Sequence, residues 1–164
     1  ALTAVVGKKS VMEAAENSFI SSTFWTERIG PTAALATLKV MEETKSWDII
    51  TRKGEKIQKL WQEVASENSI KINISGIPAL SVYSFNSKNA LKYKTYVTQE
   101  MLKKGFLAST LFYASVAHKE EHIKLYGQAL NEVYRNISKC ENEKEDINIL
   151  LDGPVCHSGF KRLN

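Results

Sequence analysis

The composition of the chain is that of an ordinary globular protein. It has 164 residues, of which 43% are hydrophobic and 24% are charged, and its formal net charge is +4. This length fits one domain, or one domain and part of another. No apolar run reaches the roughly 18 residues of a membrane span, and no signal peptide opens the chain. Lysines alternate with acids instead of clustering, so we predict neither a membrane nor a nucleic-acid partner.

The first part of the chain is predicted to contain a strand, a loop and two helices. Residues 2–6 are apolar and partly β-branched, which indicates a buried strand and suggests that the chain begins within a fold. Ser10 and Glu13 form the pattern of a capping box, which predicts a short helix starting at Ser10. Residues 19–25 are rich in Ser and Thr and are predicted to be extended, and residues 26–45 to form a longer helix.

The rest of the chain is predicted to form a small α+β domain and a tail. The predicted elements are helix 46–68, strands 70–75 and 80–85, helix 88–104, strands 106–108 and 112–115, and helix 119–138. The period changes from helical to alternating at Ile70, and Gly105 stands where a helix C-terminus favours glycine. The order β-β-α-β-β-α is typical of a two-layer α+β fold. Residues 139–164 are acidic and then turn-rich, and we interpret them as a loose tail.

Two groups of residues could be metal ligands, and each has a structural alternative that we favour. Cys140, Cys156 and His157 lack the paired short spacings of a zinc site, so free thiols in the tail are the better interpretation. Two cysteines are also too few for a disulfide framework, which favours a reducing, cytoplasmic setting.

The second group contains residues that share a helical face at i and i+4. Its members are His118, Glu120, Glu121 and His122. The alternative is an acidic first turn that complements the helix dipole, with His118 at the cap, and we favour it.

The residues before the second helix could hold a phosphate. Hydroxyls and free amides near a helix start favour an anion, and Ser21, Ser22 and Thr23 supply both. The same three residues could equally be an ordinary helix cap.

Two separate motifs resemble a known enzyme family. Residues 18–31, SFISSTFWTERIGP, are similar to class III aminotransferases and most similar to relatives of glutamate-1-semialdehyde aminomutase. Residues 105–108, GFLA, followed by YASVAHKEEHI at 113–123, resemble the last strand and helix of that family. The resemblance implies that residues 1–45 end a large cofactor-binding domain, that 46–138 form the small C-terminal domain of a fold type I enzyme, and that 139–164 are a tail.

The resemblance also implies a cofactor, a dimer and two contact residues. Family members bind pyridoxal 5'-phosphate to a lysine as a Schiff base. That lysine precedes the strand corresponding to residues 2–6, and neither Lys8 nor Lys9 matches it, so we expect no catalytic residue in this chain and no activity from it alone. Thr23 matches the threonine that binds the cofactor phosphate of the neighbouring subunit, and Ser22 takes the place of the glycine before it.

The substrate implied by the resemblance is a small amino acid or an amino sugar. Arg28 could bind a substrate carboxylate, or it could pair with Glu27 or a helix acid. The segment near 109–112 is shorter than in true aminomutases, so the family's own substrate is not assigned. An alternative function is a non-catalytic α+β module that binds an acidic partner, which the basic isoelectric point would suit.

Overall fold

The fold consists of two compact units, each with its own internal contacts. The computed structural model describes Thr3, residues 5–19, Phe24 and residues 26–159. The N-terminal unit is Ala1–Ser46 and the C-terminal unit is Trp47–Asn164. Among the described residues, no helix combines the length and the apolar character needed to cross a membrane.

The N-terminal unit contains two helices, α1 (Lys9–Glu16) and α2 (Ile29–Thr44), and neither buries a residue. The predicted strand at 2–6 is wrong at its described positions. Thr3, Val5 and Val6 lie in no strand, and both valines are exposed. A strand needs a neighbouring strand for its backbone hydrogen bonds, and none of the described residues provides one here. Leu2 and Ala4 lie outside the described residues, as does most of the segment 19–25 that was predicted to be extended.

The first helix begins one residue earlier than predicted. Its N-cap is Lys8, and no side chain caps the helix there. Ser10 is therefore inside the helix, and the predicted capping box between Ser10 and Glu13 is wrong. The second helix ends at Thr44, and the backbone of its C-cap, Lys45, is left-handed (φ 47°, ψ 49°). The next helix starts at Ser46, as the sequence predicted.

The C-terminal unit has a three-stranded sheet and the longest helices of the described chain. Its elements are α3 (Ser46–Glu67, whose first residue belongs to the N-terminal unit), β1 (Ile72–Ile77), β2 (Leu80–Phe85), α4 (Ala90–Lys103), β3 (Leu111–Tyr113), α5 (Glu120–Glu141) and α6 (Ile147–Leu150). The strand order is β1-β2-β3, and both pairs are antiparallel. Helices α3, α4 and α5 were predicted to within a few residues because each has one apolar stripe, whereas α6 lies in the segment that was predicted to be a tail.

The two faces of the sheet differ in burial. In β2, Ser81, Tyr83 and Phe85 are buried, whereas the alternating residues Leu80 and Ser84 are exposed. The buried face packs on an aromatic cluster: the ring of Tyr83 lies 4.7 Å from that of Trp61 on α3 and 6.3 Å from that of Tyr134 on α5. Alternation of this kind is expected for a sheet covered by helices on one side, as in a two-layer fold.

The predicted strand at 106–108 is not formed. Phe106 donates its backbone N–H to Met101 O and Gly105 donates to Leu102 O, both at 2.9 Å, and Gly105 has φ 84°. This pair of bonds is a Schellman motif that ends α4. Phe106 is thus committed to the helix terminus, while the ring of Phe106 packs against Tyr126 of α5 at 5.9 Å. Gly105 occupies the helix-ending position that the sequence predicted.

Residues 139–159 are not a loose tail. Helix α5 continues to Glu141, and both Cys140 and Ile147 are buried in the core. The segment after α6 then lies along α4, where Asp152 N donates to Gln99 Oε1 at 2.7 Å and Cys156 N donates to Thr95 Oγ1 at 2.9 Å. The acidic, turn-rich composition suggested exposure, but two helical turns of α4 supply polar partners for this backbone.

Candidate functional site

The predicted phosphate-contact residues Ser22 and Thr23 lie outside the described residues. The start of α2, a few residues later in the chain, is described, and a carboxylate of the chain itself binds to its backbone amides. The carboxylate of Glu27 accepts hydrogen bonds from Ile29 N and from Gly30 N, the latter at 2.9 Å. A carboxylate at this end of a helix is stabilised by the free amides and by the helix dipole. The donors are therefore of the kind that a phosphate needs, but Glu27 already uses these two.

From the sequence, Glu27 was considered only as an ion-pair partner for Arg28, and that ion pair is not formed. Both Glu27 oxygens accept from backbone amides, and the Arg28 guanidinium forms no ion pair among the described residues. Arg28 is exposed and forms the N-cap of α2, with φ −100°. A cation near the positive end of a helix dipole is electrostatically unfavourable. Its suggested role in binding a substrate carboxylate stays a prediction.

The described residues by themselves do not form a cofactor site. A Schiff-base lysine must be sheltered and must offer a free amine. No lysine among the described residues is buried, and Lys53 and Lys92 are half-buried. The ammonium of Lys53 donates to Val116 O at 2.8 Å and to Ser115 O at 3.3 Å. The described part of the chain thus supplies neither a sheltered lysine nor free amides at the start of α2.

A concave region lies within the C-terminal unit. It is a cavity of about 500 Å³ between α3, the segment that follows α4, β3 and the start of α5. We call it the β3 cavity, and its lining residues are Ile57, Gly105, Phe106, Leu107, Ala108, Leu111, Phe112, Tyr113, His118, His122, Ile123 and Tyr126. Its walls are mostly apolar. The sequence did not predict it, because its walls come from segments up to 69 positions apart.

The two histidines that were considered as metal ligands line this cavity. His118 Nδ1 accepts from Ser115 N at 3.1 Å, and the imidazole lies 5.0 Å from the ring of Phe112. His122 Nδ1 accepts from Lys119 N at 3.3 Å. Burial, followed by the charges of Lys53 and His122, lowers the pKa of His118.

The acidic first turn of α5 is confirmed, since Glu120 and Glu121 occupy it. The cap, however, is Lys119, and His118 stands one residue before it. Within the described residues no three His, Cys, Asp or Glu side chains come together as metal ligands.

The cysteines belong to the structure of the C-terminal unit. Both are free; Cys140 is buried, and Cys156 is half-buried beside α4. Burial raises the pKa of the Cys140 thiol, and the nearby carboxylates of Glu145 and Asp146 add to that effect. A thiol of raised pKa is a poor nucleophile at neutral pH. Cys140 is therefore part of the core.

Comparison with known proteins identifies the region to which the chain corresponds. No family model matches the chain. It is 28% identical over 145 residues to 3-aminobutyryl-CoA aminotransferase of Cloacimonas acidaminovorans. The match covers 85% of this chain and 35% of that protein. The chain is related to the C-terminal region of pyridoxal-phosphate-dependent aminotransferases. This confirms the relationship that the two sequence motifs indicated.

A solved structure agrees with this relationship at the level of the fold. The pyridoxal-phosphate internal aldimine form of the FumI protein from Sphingopyxis sp. MTA144 matches with a TM-score of 0.70 and 16% identity, over 89% of this chain and 36% of that one. The predicted α+β fold class is confirmed by this match and by the small antiparallel sheet. The chain spans about a third of the length of each of these relatives.

Proposed function

We propose that this chain is part of a longer class III aminotransferase or aminomutase that uses pyridoxal 5'-phosphate. The observation that supports the proposal most is the similarity, over 145 residues, to a curated aminotransferase. The cofactor supplies an electron sink for moving an amino group. The Schiff-base lysine is proposed to lie in the part of the relatives' length that this chain does not match. By this proposal, residues 1–45 end the cofactor-binding domain, and residues from 46 onward form the small domain.

The proposed cofactor contacts in this chain are Thr23 and Ser22. Two hydroxyls and the adjacent backbone amides would donate to a phosphate dianion, and a charge-assisted hydrogen bond of this kind contributes roughly 1.5–3 kcal/mol. The family resemblance places the phosphate in the neighbouring subunit, so the proposal includes a homodimer. Glu27 occupies the amides of Ile29 and Gly30, so the proposal assigns the phosphate to hydroxyls and amides earlier in the chain.

The proposed substrate is a small amino acid or an amino sugar, in a cytoplasmic setting. The curated relative is named for 3-aminobutyryl-CoA, a β-amino acyl thioester, and that class should be assayed beside the other two. Arg28 is proposed to bind an anionic group of the substrate, since its guanidinium is exposed and has no ion pair among the described residues. The segment near 109–112 is shorter than in true aminomutases, so the assay should include amino donors of all three classes.

The test compares two threonine variants in the longer protein. Thr23→Val removes a proposed phosphate donor, and cofactor affinity should fall roughly ten- to a hundred-fold. Thr37→Val is the matched control, because its hydroxyl donates to Ala33 O at 2.8 Å within α2. Thr37→Val should leave cofactor affinity unchanged. Equal dissociation constants for wild type and Thr23→Val would make Thr23 an ordinary cap and remove the proposed site residue.

A further inference from the structure

The β3 cavity is apolar except at the two histidines and at the tyrosine hydroxyls of its walls. Phe106, Phe112 and Ile123 contribute hydrocarbon from three different segments. The Tyr126 hydroxyl oxygen accepts from Trp61 Nε1 at 2.8 Å, and its own O–H is still able to donate. Pockets for small molecules combine such walls with a few convergent polar groups. Apart from the tyrosine hydroxyls, the polar side-chain groups of its lining are the imidazoles of His118 and His122.

The hydrogen bonds of these histidines fix their tautomers. A ring nitrogen that accepts from a backbone N–H carries no proton, so in the neutral imidazole the proton is on the other nitrogen. His118 Nδ1 accepts from Ser115 N, and His122 Nδ1 accepts from Lys119 N. Both neutral rings therefore carry their proton on Nε2. No described group accepts a hydrogen bond from either Nε2 atom, so each ring keeps an unused donor. His118 is half-buried and His122 is exposed, and both residues line the cavity.

The charges near the two donors favour an anion. Lys53 binds only carbonyl oxygens at this place, so its charge is not neutralised by a carboxylate among the described residues. Glu120 forms an ion pair with Lys56 at 2.6 Å, so the charge of one of the two acids in the first turn of α5 is balanced. Glu121 is exposed and opposes an anion, but it lies in water, where its charge is screened. The positive end of the α5 dipole acts in the same direction as Lys53.

We propose that the β3 cavity binds a carboxylate with an aliphatic or aromatic body, held by the Nε2–H donors of His118 and His122. The apolar walls take the hydrocarbon, and the carboxylate oxygens accept from the two imidazoles. The site does not depend on the proposed aminotransferase activity, because its residues all lie in the C-terminal unit. No bond is made or broken in it, so its function is binding.

The test uses octanoate as the probe and the chain's own third histidine as an internal reference. The chain has three histidines, and His157 is exposed and outside the cavity. In ¹⁵N-labelled full chain at pH 8, octanoate should shift the imidazole signals of His118 and His122 saturably and leave those of His157 unchanged. Octanol has a similar apolar body but no charge, and it should bind at least tenfold more weakly.

Two substitutions at one position separate the donor from the loop that carries it. His118→Asn places an acceptor oxygen where Nδ1 stood, so the Ser115 amide keeps a partner while the Nε2–H donor is lost. Octanoate affinity should fall about tenfold or more. His118→Gln places its amide nitrogen near the position of Nε2 and should retain most of the affinity. His157→Asn is the matched control and should change nothing, and urea unfolding of each variant reports whether the fold is kept.

The outcomes divide cleanly. Equal binding of octanoate and octanol would make the cavity merely apolar and overturn the anion site. No saturable shift at His118 and His122, or an equal shift at His157, would overturn the cavity as the place of binding. Full affinity in a folded His118→Asn variant would overturn the role of the Nε2–H donor. Should His118→Asn fail to fold, Ala108→Leu fills the same cavity without touching either histidine, and unchanged affinity in that variant would also overturn the proposal.

Discussion

The two units of this chain use their apolar side chains in opposite ways. In the N-terminal unit no residue of α1 or α2 is buried, and Val6 and Phe19 are 90% and 91% exposed. In the C-terminal unit Trp61, Tyr93 and Leu130 are each 0% exposed. Both units are rich in apolar residues, but among the residues that the structure describes only those of the second unit close a core. We infer that most of the free energy of unfolding of this chain comes from the C-terminal unit, since burial of apolar surface is the main favourable term in folding.

The difference also suits the proposed function. Apolar helix faces that nothing covers are typical of surfaces that contact further protein. If residues 1–45 end a larger cofactor-binding domain, as proposed, the exposed residues of α2, among them Leu35 and Leu38, would be covered in the longer protein.

The largest expected effect comes from removing the central aromatic side chain. Trp61→Ala deletes a fully buried ring and leaves the hydroxyl of Tyr126 without its donor. We expect the free energy of unfolding to fall by about 3–5 kcal/mol. Leu38→Ala is the matched change in the N-terminal unit, where the side chain is 60% exposed, and it should alter stability by less than about 0.5 kcal/mol. Urea unfolding measures both, and a comparable loss for Leu38→Ala would break the contrast between the units.

A glycine variant tests how tightly the C-terminal unit is packed. A Cβ at Gly54 of α3 would lie 1.8 Å from Pro78 O, a backbone atom of the turn between β1 and β2. Alanine favours a helix by about 1 kcal/mol over glycine, but overpacking against a backbone outweighs that gain. Gly54→Ala should therefore destabilise by at least about 2 kcal/mol. Gly153→Ala has open space around it and is the control, with no change expected. A neutral Gly54→Ala would show that the turn moves freely from α3.

The pH dependence of stability gives a smaller effect, which is located in the C-terminal unit. The pKa of His118 is lowered from 6.5 in the folded chain, mainly by burial. The unfolded chain therefore takes up this proton first as the pH falls. The stability from His118 is complete above about 6.5 and is lost as the pH falls towards the lower folded pKa.

The measurement is the urea midpoint between pH 8 and pH 5. His118→Asn should flatten the loss of stability relative to wild type, and His157→Asn should not. Identical pH profiles for wild type and His118→Asn would mean that the half-buried imidazole does not link protonation to folding.

Most of the C-terminal unit could be predicted from the sequence, because its elements carry clear periods. Ile72 and Ile74 alternate with exposed polar residues, and each long helix has one apolar stripe. Apart from the segment after α5, which was interpreted as a tail, the errors lie at helix ends. Ser69 and Glu143 both have φ 57°, so two helices end in left-handed residues that are not glycine. Glycine is the sequence signal for such an end, and neither position has one. The start of β1 and the end of α5 were therefore both predicted too early in the chain.

The candidate sites were less predictable, for two different physical reasons. The Glu27 cap was missed because glutamate at this position is also a normal ion-pair partner, and only the geometry shows which donors it meets. The β3 cavity depends on long-range packing between α3 and α5, which no local pattern encodes. The family resemblance located Thr23 and Ser22, and their role stays a prediction because both residues lie outside the described part of the chain.

The most direct test of the central claim is the position of the cofactor in the longer protein. After borohydride reduction with pyridoxal 5'-phosphate, peptide mass mapping should find one stoichiometric pyridoxyl-lysine, in a peptide that precedes Ala1. None should be found within residues 1–164, since no lysine among the described residues is buried and Lys53 is held by two carbonyl oxygens. A stoichiometric pyridoxyl group on any lysine of residues 1–164 would contradict the assignment of this chain to the part of the enzyme beyond its catalytic lysine.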